Sequence, residues 1–304
     1  MLFLLGLACA LLASACFNIG VLLQALEARE QPASRELRFS LLTVLLRRPR
    51  WTLGLLLGLL GVLPQVVALT LAPFALVQPA LAAGLLLLLA IGTRTLGEPV
   101  RWPEWLGVVA LIGGIALVAA GSPTHAEAHR GGALVVVVAL APLAIGLSPF
   151  PLRGTRLDSS ALVVLASGLA FASANIATKL MGDDVTAGTY WNATAWAAVA
   201  LAAGIAATIT NMTAFQRRPA TMVVPMVTSV QTYVPIVLEP LFLKESLSTA
   251  SLDGATIAAG LALAAVGTTL VSRTKAVGEL TAAAASSGDE PPRRRVRAVA
   301  TGDR

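Results

Sequence analysis

The chain has 304 residues, 56% of them hydrophobic and only 12% charged, with a net charge of +6. So few charges cannot cover the surface of a soluble domain. The apolar residues gather in runs of about twenty, the length that crosses a hydrocarbon core of ~30 Å. The expected class is an all-α polytopic membrane protein, with the lipid bilayer as its first partner. Much of the positive charge lies in 27–50 and 273–304, so a nucleic-acid partner has little support.

Nine spans are expected, at roughly 2–26, 51–72, 74–93, 103–121, 131–149, 160–180, 189–214, 220–243 and 253–272. The first has no Lys or Arg before its apolar run, and that run continues past Cys16 to Leu26. It reads as a retained helix rather than a cleaved signal peptide. Cys9 and Cys16 share a face of it and read as small packed hydrophobes, without metal-ligand spacing.

Next comes Phe39–Leu46, FSLLTVLL. Eight residues cannot span, so this segment is expected to be an interfacial or cytoplasmic helix, or the remnant of a lost span. Glycines in span 2 (Gly54, Gly58) and span 4 (Gly107, Gly113, Gly114, Gly121) let helices approach closely. They favour packing within the bundle over a homodimer, which stays open as a partner. The loop after span 4 carries His125, Glu127 and His129 and reads as solvated rather than metal-binding. The tail 273–304 is basic, has no apolar periodicity and is expected to be disordered and cytoplasmic.

Arginine and lysine orient the chain. With the N-terminus outside, only Arg130, Lys179 and Lys244 of the 22 basic residues fall on the outer side. The positive-inside rule then places the C-terminus in the cytoplasm of a cell whose inner or plasma membrane holds the protein. Trp51, Trp102, Trp105, Trp191 and Trp196 fall at or near span starts, where the indole prefers the headgroup level.

The chain repeats itself. Pro73–Glu98 and Pro219–Glu245 both open on proline, carry a second proline six residues later and end on a carboxylate. The offset of 146 that relates Pro73 to Pro219 also relates Gln65 to Asn211, and Asn18-Ile19 aligns with Asn175-Ile176. Residues 1–121 therefore read as a first repeat (spans 1–4) and 159–272 as a second (spans 6–9). Residues 122–158 are the connector with span 5. Copies five spans apart have opposite orientation, so the repeat is inverted, a plan typical of secondary carriers.

Three features resemble the drug/metabolite transporter superfamily in its EamA-like arrangement. They are the Asn in the opening helix of each half, the helix closing on Gly97-Glu98 or Lys244-Glu245, and the small-residue helix that follows. The nine-span count is similar to the NIPA-like magnesium-transporter branch. The resemblance implies an inverted-repeat bundle around a central cavity.

The intramembrane polar groups are the candidate site, since such groups are costly in lipid and tend to face the bundle interior. Asn18, Gln65, Asn175, Asn211, Gln231 and Glu239 are the substrate-binding candidates, each weighed against a plain interhelical hydrogen bond. Pro235 lies between Gln231 and Glu239 on one face and leaves a backbone carbonyl without its donor, a place for a polar solute or ion. Lys179 and Glu239 are expected on the outer side as a gate pair or, for Glu239, an ion-coupling group. There is no catalytic constellation, no metal site and no cofactor motif, so the chain is not read as an enzyme. The expectation is a carrier moving a small molecule or ion by alternating access. Amides and hydroxyls suit a neutral or zwitterionic metabolite, or an amphiphile, better than Mg²⁺, which is normally held through carboxylates and water. A non-transporting scaffold is the other reading.

Overall fold

The structure, a computed structural model, describes residues 2–71, 74–95, 100–121, 132–242 and 255–271. Among these, the regular elements are helices, with no strand. They are α1 (Leu2–Arg29), α2 (Phe39–Leu45), α3 (Pro49–Leu71), α4 (Phe74–Ala82), α5 (Gly84–Thr95) and α6 (Trp102–Gly121). There follow α7 (Ala133–Gly146), α8 (Pro149–Leu152), α9 (Ser160–Thr186), α10 (Tyr190–Arg217) and α11 (Ala220–Phe242). The last is α12 (Ala255–Val271).

Among the described residues, five helical stretches are long and apolar enough to cross a membrane: Leu4–Arg29, Pro49–Ala68, Ala133–Leu152, Ser160–Thr186 and Tyr190–Arg217. Shorter apolar helices run over Pro79–Arg94, Trp102–Val118 and Ala255–Val271. A helix satisfies its own backbone, which is the form compatible with lipid. Leucines face outward along α3, among them Leu53, Leu56, Leu59, Leu60 and Leu63.

Two helices are hubs. α1 packs against α3, α4, α5 and α10, while α9 packs against α7, α10 and α11. Small residues set the closest approaches. A Cβ on Gly20 would stand 2.5 Å from the carbonyl oxygen of Gly54, and one on Gly54 equally close to that of Gly20. Between α6 and α12, a Cβ on Gly114 would lie 2.6 Å from the Gly260 oxygen, and one on Gly260 2.7 Å from the Gly114 oxygen. Gly107 meets Gly267 in the same way one step along. The two helices thus run antiparallel, with only hydrogen between their backbones.

The rod formed by α4 and α5 breaks at Ala83. The break has a partner on α1. Ser14 Oγ donates to the carbonyl of Leu81 at 2.5 Å, and a side chain on Gly84 would run into Ser14 and Asn18. A polar patch on α1 therefore fills the notch.

The short helix expected at Phe39–Leu46 is present as α2. It docks on the bundle through Leu41 and Leu45, both fully buried. They join Ala25, Ala28, Trp51, Val163, Met212, Phe215 and Val223 in one apolar cluster. This changes the reading of Trp51. Its ring is only 2% exposed, and Nε1–H donates to Met212 Sδ at 3.2 Å. The ring shares the apolar cluster with Leu41 and Leu45 of α2, so it is packed within the protein. Trp102 and Trp191, by contrast, are 72% and 85% exposed.

Three arginine-bearing connections meet at the same end of the bundle. Arg29 donates to the carbonyls of Phe215 and Arg218 at the end of α10, where a cation complements the helix dipole. Arg153 donates to the Ser34 carbonyl at 3.0 Å. Arg217 bridges Glu36 and Asp158, at 2.6 Å to each. Leu37, in a left-handed conformation at φ 51°, is held there by its N–H, which donates to Thr213 Oγ1 at 3.0 Å.

Candidate functional site

The described helices line a half-open cavity of about 400 Å³. Phe17, Asn18 and Val21 of α1 line it, with Leu81, Ala82 and Leu85 around the α4–α5 break and Ile115 of α6. Phe171 of α9, Asn211 of α10, and Val224, Val227, Thr228, Gln231 and Thr232 of α11 complete the wall. Asn18 lies 11 residues before Arg29 and Asn211 six before Arg217, so they stand roughly 16 and 9 Å along their helices from the arginine end. The apolar cluster around Phe215 forms the floor on that side. Val227 belongs to both, and Val21, Phe171 and Val224 pack against the cluster while lining the cavity.

Three of the six substrate candidates come together here: Asn18, Asn211 and Gln231. They differ in what they already bond. Asn18 Nδ2 donates to the Ser14 carbonyl at 2.8 Å within α1. Asn211 Oδ1 is buried and has no hydrogen-bond partner.

Asn175, the counterpart of Asn18, is not in the cavity wall. Its Nδ2 donates to the backbone carbonyl of Gln231 at 3.3 Å. That carbonyl is the one Pro235 leaves without an N–H donor four residues on. The free carbonyl expected as a place for solute is therefore occupied by Asn175, which ties α9 to α11. Gln65, the counterpart of Asn211, lies on α3 away from the lining. Lys179 is half-buried on α9. Glu239 falls within α11, but its side chain lies outside the described residues, as do Lys244, Glu245, Glu98, His125 and His129. Among the described residues no group of three His, Cys, Asp or Glu is placed to hold a metal ion.

Thr228 and Thr232 were not singled out by the sequence, nor were Phe17 and Phe171. The signal for the threonines is their spacing. Val224, Thr228, Gln231 and Thr232 recur every three or four residues and so make one stripe on α11. A threonine inside a helix usually turns its hydroxyl back to the carbonyl four residues earlier. Thr178, Thr208, Thr210, Thr213 and Thr268 all do so, at 2.8 to 2.9 Å. Thr228 and Thr232 do not, which leaves their hydroxyls for the cavity.

At the arginine end Arg217 is paired with Glu36 and Asp158. Arg217, Glu36 and Asp158 each keep about 15% of the side chain exposed. The Asp158 carboxyl is held below the usual carboxylate range by hydrogen bonds from Arg217 and from the Gly154 N–H, against the opposing effect of burial.

Compared with known proteins, the chain matches no family model, no curated protein and no solved structure. Fold and site therefore define it only as a helical chain with membrane-length apolar helices and an internal cavity edged with amides and hydroxyls.

Proposed function

We propose that this chain is a multi-pass secondary carrier that moves a small solute by alternating access, needing no cofactor. The observation that carries the reading is the cavity, walled by α1, α4–α5 and α6 from one half of the chain and by α9, α10 and α11 from the other. A site between halves can open to either side when they rock against each other.

The internal packing supports an inverted repeat. The neighbours of α1 (α3, α4, α5) recur around α9 as α10 and α11. Gly114 and Gly260 are 146 residues apart, the offset that also relates Pro73 to Pro219. A residue that touches its own counterpart lies near the axis relating the two copies, and the antiparallel step from Gly107 to Gly267 fits an axis in the membrane plane. In this reading nine spans cross the membrane. Spans 1–4 and 6–9 are the repeats, the N-terminus is outside, and the arginine end faces the cytoplasm. The gathering of Arg29, Arg35, Arg153 and Arg217 at one end supports that orientation.

This architecture is the one expected from the resemblance to the drug/metabolite transporter superfamily, EamA-like. The NIPA-like magnesium reading has less support, because the described cavity wall holds no carboxylate. The test is flux. Full-length protein in proteoliposomes should exchange at least one labelled solute from a panel of neutral metabolites, amino acids, organic ions and Mg²⁺, assayed with and without a pH gradient. A protein that binds solute yet never moves any would overturn the carrier and favour a scaffold.

A further inference from the structure

We infer that the cavity is built for an uncharged amphiphile, with an apolar or aromatic body and an edge that both donates and accepts hydrogen bonds. This rests on the cavity being the solute site.

Charge is the first discriminator. All 14 described residues lining the cavity are uncharged. Arg217, with Glu36 and Asp158, lies beyond the apolar floor and is already paired, and buried Glu27, six residues past Val21, is not among the lining residues. An ionic solute would leave water for a space with no opposite charge to meet it, which costs several kcal/mol or more. An uncharged solute avoids that cost.

Hydrogen-bonding capacity is the second. Ser14, Asn175 and Ser229, also within apolar helices, are spent on backbone carbonyls. Four groups without a hydrogen bond lie on the cavity: the Thr228 and Thr232 hydroxyls, the Gln231 amide and the Asn211 carbonyl oxygen. The last is buried without a partner. A buried acceptor in this condition is unfavourable until something donates to it. Hydroxyls and amides can each donate or accept, so they complement an amide, lactam or hydroxyl edge. They offer no concentrated charge for a carboxylate or an ammonium.

Shape is the third. Phe17 and Phe171 come from the two hub helices, and the other lining residues are aliphatic apart from the five polar ones. A flat apolar body lies favourably on such walls, leaving its polar edge to the α11 stripe.

The experiment uses the full chain in lipid nanodiscs and reads ligand binding as a saturable rise in melting temperature. The probes are matched pairs that differ in charge: nicotinamide against nicotinate, N-acetyltryptophanamide against N-acetyltryptophan, and MgCl₂ alone. The neutral member of a pair should bind about tenfold or more tightly than its charged counterpart, and MgCl₂ should not bind. Thr228→Val with Thr232→Val keeps shape and removes both hydroxyls, so it should weaken the neutral probe about tenfold, the size of one lost hydrogen bond. The melting temperature without ligand should not change. Equal or tighter binding of the charged member, binding of Mg²⁺, or neutral binding untouched by the double valine variant overturns the assignment, as does the absence of any neutral binding. Flux of a charged solute through the same residues would sink the solute class and leave the carrier standing. Neutral binding without flux does the reverse.

Discussion

Arg217 and Glu36 meet at 2.6 Å at the arginine end of the bundle, and the same guanidinium reaches Asp158 at 2.6 Å. Glu36 follows α1, Asp158 precedes α9, and Arg217 ends α10. One side chain thus ties both hub helices together below the apolar floor of the cavity. In the carrier reading this is a latch that must part before the cavity opens to the arginine side. Arg217→Gln should raise labelling of a Thr228→Cys reporter by a membrane-impermeant maleimide applied to that side. It should also cost about 1.5–3 kcal/mol of stability, the range for hydrogen bonds to charged partners. Unchanged labelling would show that the contact is structural only.

The latch should be insensitive to pH near neutrality. The folded Asp158 titrates below its unfolded value of roughly 3.9, so its stabilising effect is present above that value and is lost as pH falls through the lower, folded one. The difference in melting temperature between wild type and Asp158→Asn should stay constant from about pH 5 to 8 and shrink below about pH 4. A difference that changes between pH 5 and 8 would show that another group governs the contact.

Gly114 and Gly58 make a contrasting pair. Each lies within an apolar helix, but a Cβ on Gly114 would strike the Gly260 backbone, whereas one on Gly58 meets nothing within 4 Å. Gly114→Ala should destabilise by about 1–3 kcal/mol, because backbone cannot move aside as a side chain can. Gly58→Ala should be neutral or stabilising by up to about 1 kcal/mol, the helix preference of Ala over Gly. Melts of the two variants in the same detergent check both.

Asn175 and Pro235 are coupled. Asn175→Leu alone should cost about 0.6 kcal/mol, the average for an interhelical hydrogen bond in a membrane protein. It should leave solute binding nearly intact, whereas Asn211→Leu should abolish it. Pro235→Ala restores the donor that Gln231 lacks, so Asn175→Leu should cost less in that background. A double-mutant cycle gives the coupling directly. Additive effects would mean that Asn175 and the Gln231 carbonyl do not depend on Pro235.

How much of the site was legible follows from these residues. Asn18, Asn211 and Gln231 stood out because an amide in an apolar run is costly and needs an explanation. Their counterparts Asn175 and Gln65 stood out for the same reason, yet neither lines the cavity. Thr228 and Thr232 did not stand out, because a helical threonine normally bonds its own backbone and carries little signal.

By itself the sequence determined the helical class, the presence of membrane-length apolar helices and the identity of the costly polar groups. Each depends on composition and run length, which are local and additive. Only the tertiary structure decided which polar groups were spent. Asn175 lost its freedom to a carbonyl 56 residues away, Trp51 went inside against Met212 of α10, and Arg217 found acids from two distant loops. A hydrogen bond depends on where another helix lies, to within a few tenths of an ångström. No window of sequence holds that position.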